Sequence, residues 1–283
     1  MLRFACNIGC ALIAWGLATT VSQAQIVNLL SGNSSVTINT GSQAGMNNWT
    51  VDNQNQLNQQ WFWYRIGSTG PEASINTISA PVINQLSPSI LQTTYANSVF
   101  SANILYSLDG GAVGSGTSDL SEQISIQNLT GATLSFHFFQ YADFNLGGTP
   151  NNDVGDLDQL RRNAYSGTIQ YNNGCQLSEN VDTVVSQPAT HGQFGTGSTI
   201  LNSLTDGSAT TLNNNTSASG NVNWGLEWDV NIAAGGTLLI SKDLNIVGVI
   251  PVPPVPEPAT LSVVALGLLA GGLYGRRLHR RTT

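Results

Sequence analysis

The chain is 283 residues long, 41% hydrophobic and only 9% charged, with a formal net charge of -7. Apolar content of that size fills a core, while so few charges exclude a coiled coil, a charged helical bundle or a charge-rich disordered tail. Between residues 25 and 250, four basic residues meet fifteen acidic ones, a local charge of −11. A nucleic-acid partner is therefore not expected, because phosphate binding needs a basic footprint.

Residues 1–24 read as a secretory signal. Arg3 precedes an apolar run from Ile8 to Ala18, and Ser22-Gln23-Ala24 supplies the small-x-small site that signal peptidase cuts. Cleavage there removes Cys6 and Cys10 and leaves Cys175, so the mature chain has no partner for an internal disulfide. Cys175 itself is expected to be a small, partly buried side chain beside a turn.

Residues 25–248 read as one all-β ectodomain, a single antiparallel β-sandwich of jelly-roll type. Apolar residues recur with period two, and Gly, Asn, Asp and Ser clusters interrupt them at short intervals. Candidate strands are Ser34 to Asn39, Leu57 to Ile66, Ser98 to Leu108, Ser121 to Asn128, Thr133 to Phe144, Ala164 to Tyr171 and Asn221 to Ile232. In the last of these, Leu226, Trp228, Val230 and Ile232 alternate with Glu227, Asp229 and Asn231. The turn Ala233 to Gly236 then leads into Thr237 to Ile246, which predicts a hairpin. The polar run from Leu204 to Asn221 predicts a long exposed loop.

Two parts of this domain carry functional expectations. Trp61-Phe62-Trp63-Tyr64 with Trp49 is an aromatic cluster in which alternation puts Trp61 and Trp63 on one strand face and Phe62 and Tyr64 on the other. An open face of Trp61, Trp63, Tyr64 and Trp49 suits a sugar, whose C–H faces stack on rings while amides read its hydroxyls. Asp153, Asp156 and Asp158 around Gly155 offer oxygen ligands suited to Ca²⁺. No other cofactor is expected. The signals for catalysis are weak: His137 lies in an aromatic strand where a hydrogen-bonded sheet histidine is expected. Cys175 with His191 forms no recognisable nucleophile motif, and no G-x-S-x-G elbow occurs.

The C-terminus is the most informative stretch. Residues 249–258 form a Pro-rich spacer, 259–275 an uncharged apolar run, and 276–283 a basic tail with Arg276, Arg277, Arg280 and Arg281. Seventeen residues at ~1.5 Å each reach ~25 Å, the short end of a membrane span. The arginines would hold the tail in the cytoplasm and place the ectodomain outside, in agreement with the secretory signal.

Pro256-Glu257-Pro258, the short apolar helix and the terminal arginines together resemble the PEP-CTERM sorting signal of Gram-negative bacteria. That resemblance implies an exosortase as processing partner, transient anchoring in the inner membrane, and delivery of the ectodomain to the cell surface or extracellular matrix. The aromatic segments Trp49 to Pro71 and Phe136 to Phe144, with Leu239 to Asp243, also resemble uncharacterised ectodomains with this tail. The expectation from sequence is a non-enzymatic structural or adhesive protein that meets extracellular polysaccharide. The alternatives are a carbohydrate-binding module, calcium-supported, and a secreted hydrolase.

Overall fold

The computed structural model describes residues 26–161, 164–172, 174–181 and 188–249. The secretory signal at 1–24, the Pro-Glu-Pro motif, the apolar run at 259–275 and the arginine tail lie outside the described residues. Among the described residues, no helix is long and apolar enough to cross a membrane.

The described chain is built from eighteen strands. β1 (Ile26–Ser31), β2 (Ser34–Asn39), β3 (Gly45–Val51) and the short β4 (Gln54–Asn55) lead into β5 (Leu57–Ile66) and the short β6 (Ala73–Ser74). A meander follows: β7 (Val82–Ser87), β8 (Ile90–Ala96), β9 (Phe100–Gly110) and β10 (Ser118–Asn128). Next come β11 (Leu134–Phe144), β12 (Asp153–Arg161), β13 (Ala164–Asn172), β14 (Cys175–Asn180) and β15 (His191–Thr196). After the helix α1 (Thr199–Thr205), β16 (Ser217–Gly220), β17 (Val222–Ile232) and β18 (Thr237–Val247) complete the set. Two antiparallel sheets result. The first runs β1-β2-β3-β5-β11-β17-β15, with β4 on β3 and β6 on β5; the second runs β16-β12-β13-β14-β18-β10-β9-β8-β7. The all-β expectation holds.

Alternating side chains explain how the two sheets meet. β2, β9 and β10 bury every second residue, the period of a half-buried strand. The sheets face each other through these buried sets: Tyr64 packs edge-on to Phe100 at 4.9 Å, and Trp49 Nε1 donates to Ser118 Oγ at 3.0 Å. Each large side chain removed from water here stabilises the fold by ~1.5–3 kcal/mol. A charged group sits in the same layer: Lys242 pairs with Glu122 and donates to Gln140 Oε1 at 2.6 Å. Gln140 and Trp224 in turn donate to Glu179.

β11 and β17 are buried on both faces over most of their length, and α1 with the segment after it covers the outward side at β17. The run from Leu204 to Asn221, expected as a long exposed loop, is exposed over most of its length but begins in α1, ends in β16 and is anchored to the sheet in its middle. Leu212 is buried within it and Thr210 bonds to Arg65 and Glu72 on the sheet's side. The hairpin expected at Ala233 to Gly236 is corrected. β17 is already paired on both edges by β11 and β15, and β18 by β14 and β10, so this turn carries the chain from one sheet to the other. Asn128 pins it, donating from Nδ2 to Ile232 O and Ala233 O while its own N–H bonds Gly236 O at 2.9 Å.

Candidate functional site

The outward face of the first sheet assembles a row of ionisable side chains. Register places Arg65 of β5 opposite His137 of β11, and His137 opposite Asp229 of β17. Two residues back on β17, Glu227 lies opposite Phe139 on one side and His191 of β15 on the other. Period-two alternation sends Leu226 and Trp228 into the core and leaves Glu227 and Asp229 together on this face.

The side chains engage one another directly. His137 Nδ1 hydrogen-bonds Asp229 Oδ1 and lies 3.8 Å from Glu227 Oε1, while His191 Nε2 lies 3.3 Å from Asp229 Oδ2. Thr190 Oγ1 accepts from the Asp229 N–H at 3.0 Å. Glu227 Oε2 accepts the Leu212 N–H at 2.8 Å, whereas its Oε1 has no hydrogen-bond partner. Beside them Arg65 pairs with Glu72, donates to Thr210 O at 2.7 Å and stands 5.7 Å from the Phe139 ring. Burial grades across the set: Glu227 is fully buried, His137 is 16% exposed, and His191 and Asp229 are 26% and 27% exposed. The site thus opens to solvent at Asp229 and closes at Glu227.

That gradient sets the chemistry. Burial first, and then the adjacent Asp229 carboxylate, push the Glu227 carboxyl up to about 8, against the lowering effect of the Leu212 N–H. A buried carboxyl that keeps its proton near neutral pH stands beside an imidazole that is already hydrogen-bonded to a second carboxylate. Such a pairing can deliver a proton at one atom and withdraw one at another. The ligand atoms of His137, Glu227 and Asp229 also lie within 4.8 Å of one another, so the three could converge on one cation. Their mutual bonds make them equally a proton-sharing set.

The residues singled out from sequence fall elsewhere. Trp49, Trp61 and Trp63 are buried, so the open platform expected of them is absent in this arrangement. Trp61 Nε1 donates to Ser74 Oγ at 2.8 Å beneath β6, and Trp63 packs edge-on to Tyr141. Tyr64 is partly buried against Phe100 and Phe136. In β12, alternation turns Asp153 into the interior and leaves Asp156 exposed, so these two do not converge on one ion; the Asp158 side chain lies outside the described residues. Cys175 is buried against Gln56 Oε1 and is not joined to His191. Sequence reasoning noticed His137 as a sheet histidine and Glu227 and Asp229 as alternating acids. It missed that they are cross-strand neighbours, because β11 and β17 lie some ninety residues apart in the chain.

Residues 254–281 match the PEP-CTERM protein-sorting motif, so the chain carries the signal of an exosortase-sorted, exported protein. No curated protein matches the chain in sequence. Among solved structures it is similar to a bacterial glucoamylase complexed with acarbose, at TM-score 0.56 and 10% identity, over 87% of this chain and 34% of that one. The chain thus spans about a third of that enzyme's length. It is also similar to a galactose mutarotase related enzyme from Lactobacillus acidophilus, at TM-score 0.53 and 8% identity, over 82% of this chain and all of that one. A protein from Synechocystis matches at TM-score 0.50 and 10% identity. Identities this low show the fold alone. That fold is one that carbohydrate-active enzymes use, and it corrects the expectation of a non-enzymatic domain.

Proposed function

We propose, for a chain that carries a PEP-CTERM sorting signal, that the exported domain acts on carbohydrate through the outward face of its first sheet. On this reading the two facing sheets form the expected β-sandwich, with nine strands in each sheet where a jelly roll has about eight in all. Glu227 is the acid, and His137, held by Asp229, is the proton acceptor. His191 and Asp229 line the open side where a sugar hydroxyl enters.

The observation that carries the reading is the Glu227–His137–Asp229 arrangement: a buried carboxyl raised to about 8, 3.8 Å from an imidazole that bonds a second carboxylate. Interconversion at a sugar's anomeric carbon needs a proton placed on the ring oxygen and one removed from the anomeric hydroxyl, and two groups at this spacing serve both needs. The two carboxyls of β17 stand close enough to share a proton, which leaves no room between them for the water that an inverting glycosidase activates. The likeness to a galactose mutarotase related enzyme supports the same chemistry, and the sorting signal supports matrix polysaccharide or its free ends as the source of substrate.

Exchange spectroscopy on a panel of reducing sugars, with the full-length protein added, tests the proposal. Faster exchange between anomers of at least one sugar is the expected result. Exchange unchanged across the panel, with no binding to matrix oligosaccharides, overturns it.

A further inference from the structure

A second group of polar side chains lies away from this face, on the inner side of the second sheet. Asp153 of β12 is fully buried, and neither of its carboxylate oxygens accepts a hydrogen bond. Alternation puts Gln170 and Asn172 of β13 on the same side, and both amides flank the Asp153 carboxyl. Each amide also donates to an oxygen away from Asp153. Gln170 Nε2 donates to Phe144 O at 2.9 Å, and Asn172 Nδ2 donates to Leu146 O and Thr149 Oγ1, both at 2.8 Å. Gln170 Oε1 and Asn172 Oδ1 accept no hydrogen bond of good geometry, and neither do the Asp153 oxygens. Four buried acceptor oxygens around the Asp153 carboxyl thus lack a well-formed hydrogen bond, and a second acid, Asp143, lies close enough to act on Asp153 electrostatically.

Buried acceptors without donors cost free energy unless something positive reaches them. A proton shared between two of these oxygens, or a water donating to two, leaves the others unmet, whereas a hard cation takes several oxygen ligands together. We infer that Asp153, Gln170 and Asn172 hold a divalent cation of the calcium class, with Asp153 as the charged ligand and the two amide oxygens beside it. Bound there, the ion ties β12 and β13 to the turn at Leu146–Gly148, whose carbonyl the Asn172 amide already holds. Asp156 takes no part, because it faces solvent on the opposite side of β12.

The test is thermal unfolding of the full-length protein, first with EGTA and then across a calcium titration, with calorimetry of the same titration for stoichiometry. One calcium per chain is expected, with a midpoint raised by about 5–10 °C at a hundredfold excess over Kd. Asp156→Asn should respond as the wild type does, and Asp153→Asn should lose the response. Should Asp153→Asn fail to fold, Gln170→Glu decides: the added carboxylate strengthens calcium binding at least several-fold if these residues are ligands. An absent wild-type response, a response that survives Asp153→Asn, or no gain with Gln170→Glu overturns the inference.

Discussion

The backbone N–H of Leu212 donates to Glu227 Oε2 at 2.8 Å, tying the segment after α1 to the most deeply buried acid of the outward face. Leu212 is itself buried, the one apolar anchor in a run of Thr, Asn and Ser from 210 to 217. Truncating it to alanine should cost about 2–4 kcal/mol of unfolding free energy and admit water to Glu227. Thr211→Ala, at the exposed neighbour, should stay within about 0.5 kcal/mol. Urea unfolding of the two variants checks the contrast, and equal effects would mean that the segment does not hold the site.

The raised carboxyl of Glu227 predicts how stability follows pH. Its folded value near 8 lies above the ordinary 4.5, so the folded state keeps a proton that the unfolded chain has released. This contribution is fully present below about 4.5 and is lost as pH rises to about 8. The unfolding midpoint should therefore fall between pH 5 and 8, and Glu227→Gln, which mimics the protonated form, should flatten that fall. A slope unchanged by the substitution would assign the pH dependence to other groups.

Arg65 and Glu72 are a buried pair. The Arg65 side chain is 4% exposed and that of Glu72 is fully covered. Arg65→Met leaves Glu72 as an uncompensated charge and should cost about 3–5 kcal/mol. Adding Glu72→Gln should recover much of that loss, since a neutral amide keeps an acceptor for the Thr210 N–H. Denaturant midpoints of the single and double variants measure it, and a double variant no more stable than Arg65→Met would contradict the pairing.

Gly45 approaches the Trp61 ring so closely that a Cβ there would sit 2.4 Å from it, and its φ is +56°. Gly45→Ala should therefore lower stability by about 1–3 kcal/mol through crowding and strain, and shift the emission of the buried tryptophans. Fluorescence-detected unfolding reads both effects together.

How much of this was visible in the residues varies by element. Ser34 to Asn39 and Leu57 to Ile66 match the sequence expectation to the residue, the first through clean alternation and the second through its run of aromatic residues behind a polar edge, both strand signals. β15, His-Gly-Gln-Phe-Gly-Thr, carries one large apolar residue and two glycines, so no alternation marks it, although it supplies His191. The turn at Ala233 to Gly236 looks the same whether its strands pair or part, and only the occupied edges of β17 and β18 decide between the two. The candidate site was legible as residue types and illegible as a site. Glu227 and Asp229 stand out by their alternation with Leu226 and Trp228, but no local pattern reports that His137 is the residue across the strand. Leu212 within a polar run was the one local hint that the supposed loop folds back onto the sheet.

The most direct measurement is anomer exchange of the responding sugar from pH 5 to 9, with the wild type, Glu227→Gln and His137→Ala compared at matched stability. The account predicts a wild-type rate that falls as pH passes about 8 and losses of at least about a hundredfold in both variants, the contribution expected of one positioned acid or base. Full activity in Glu227→Gln would contradict the assignment of this face as the place where the chemistry occurs.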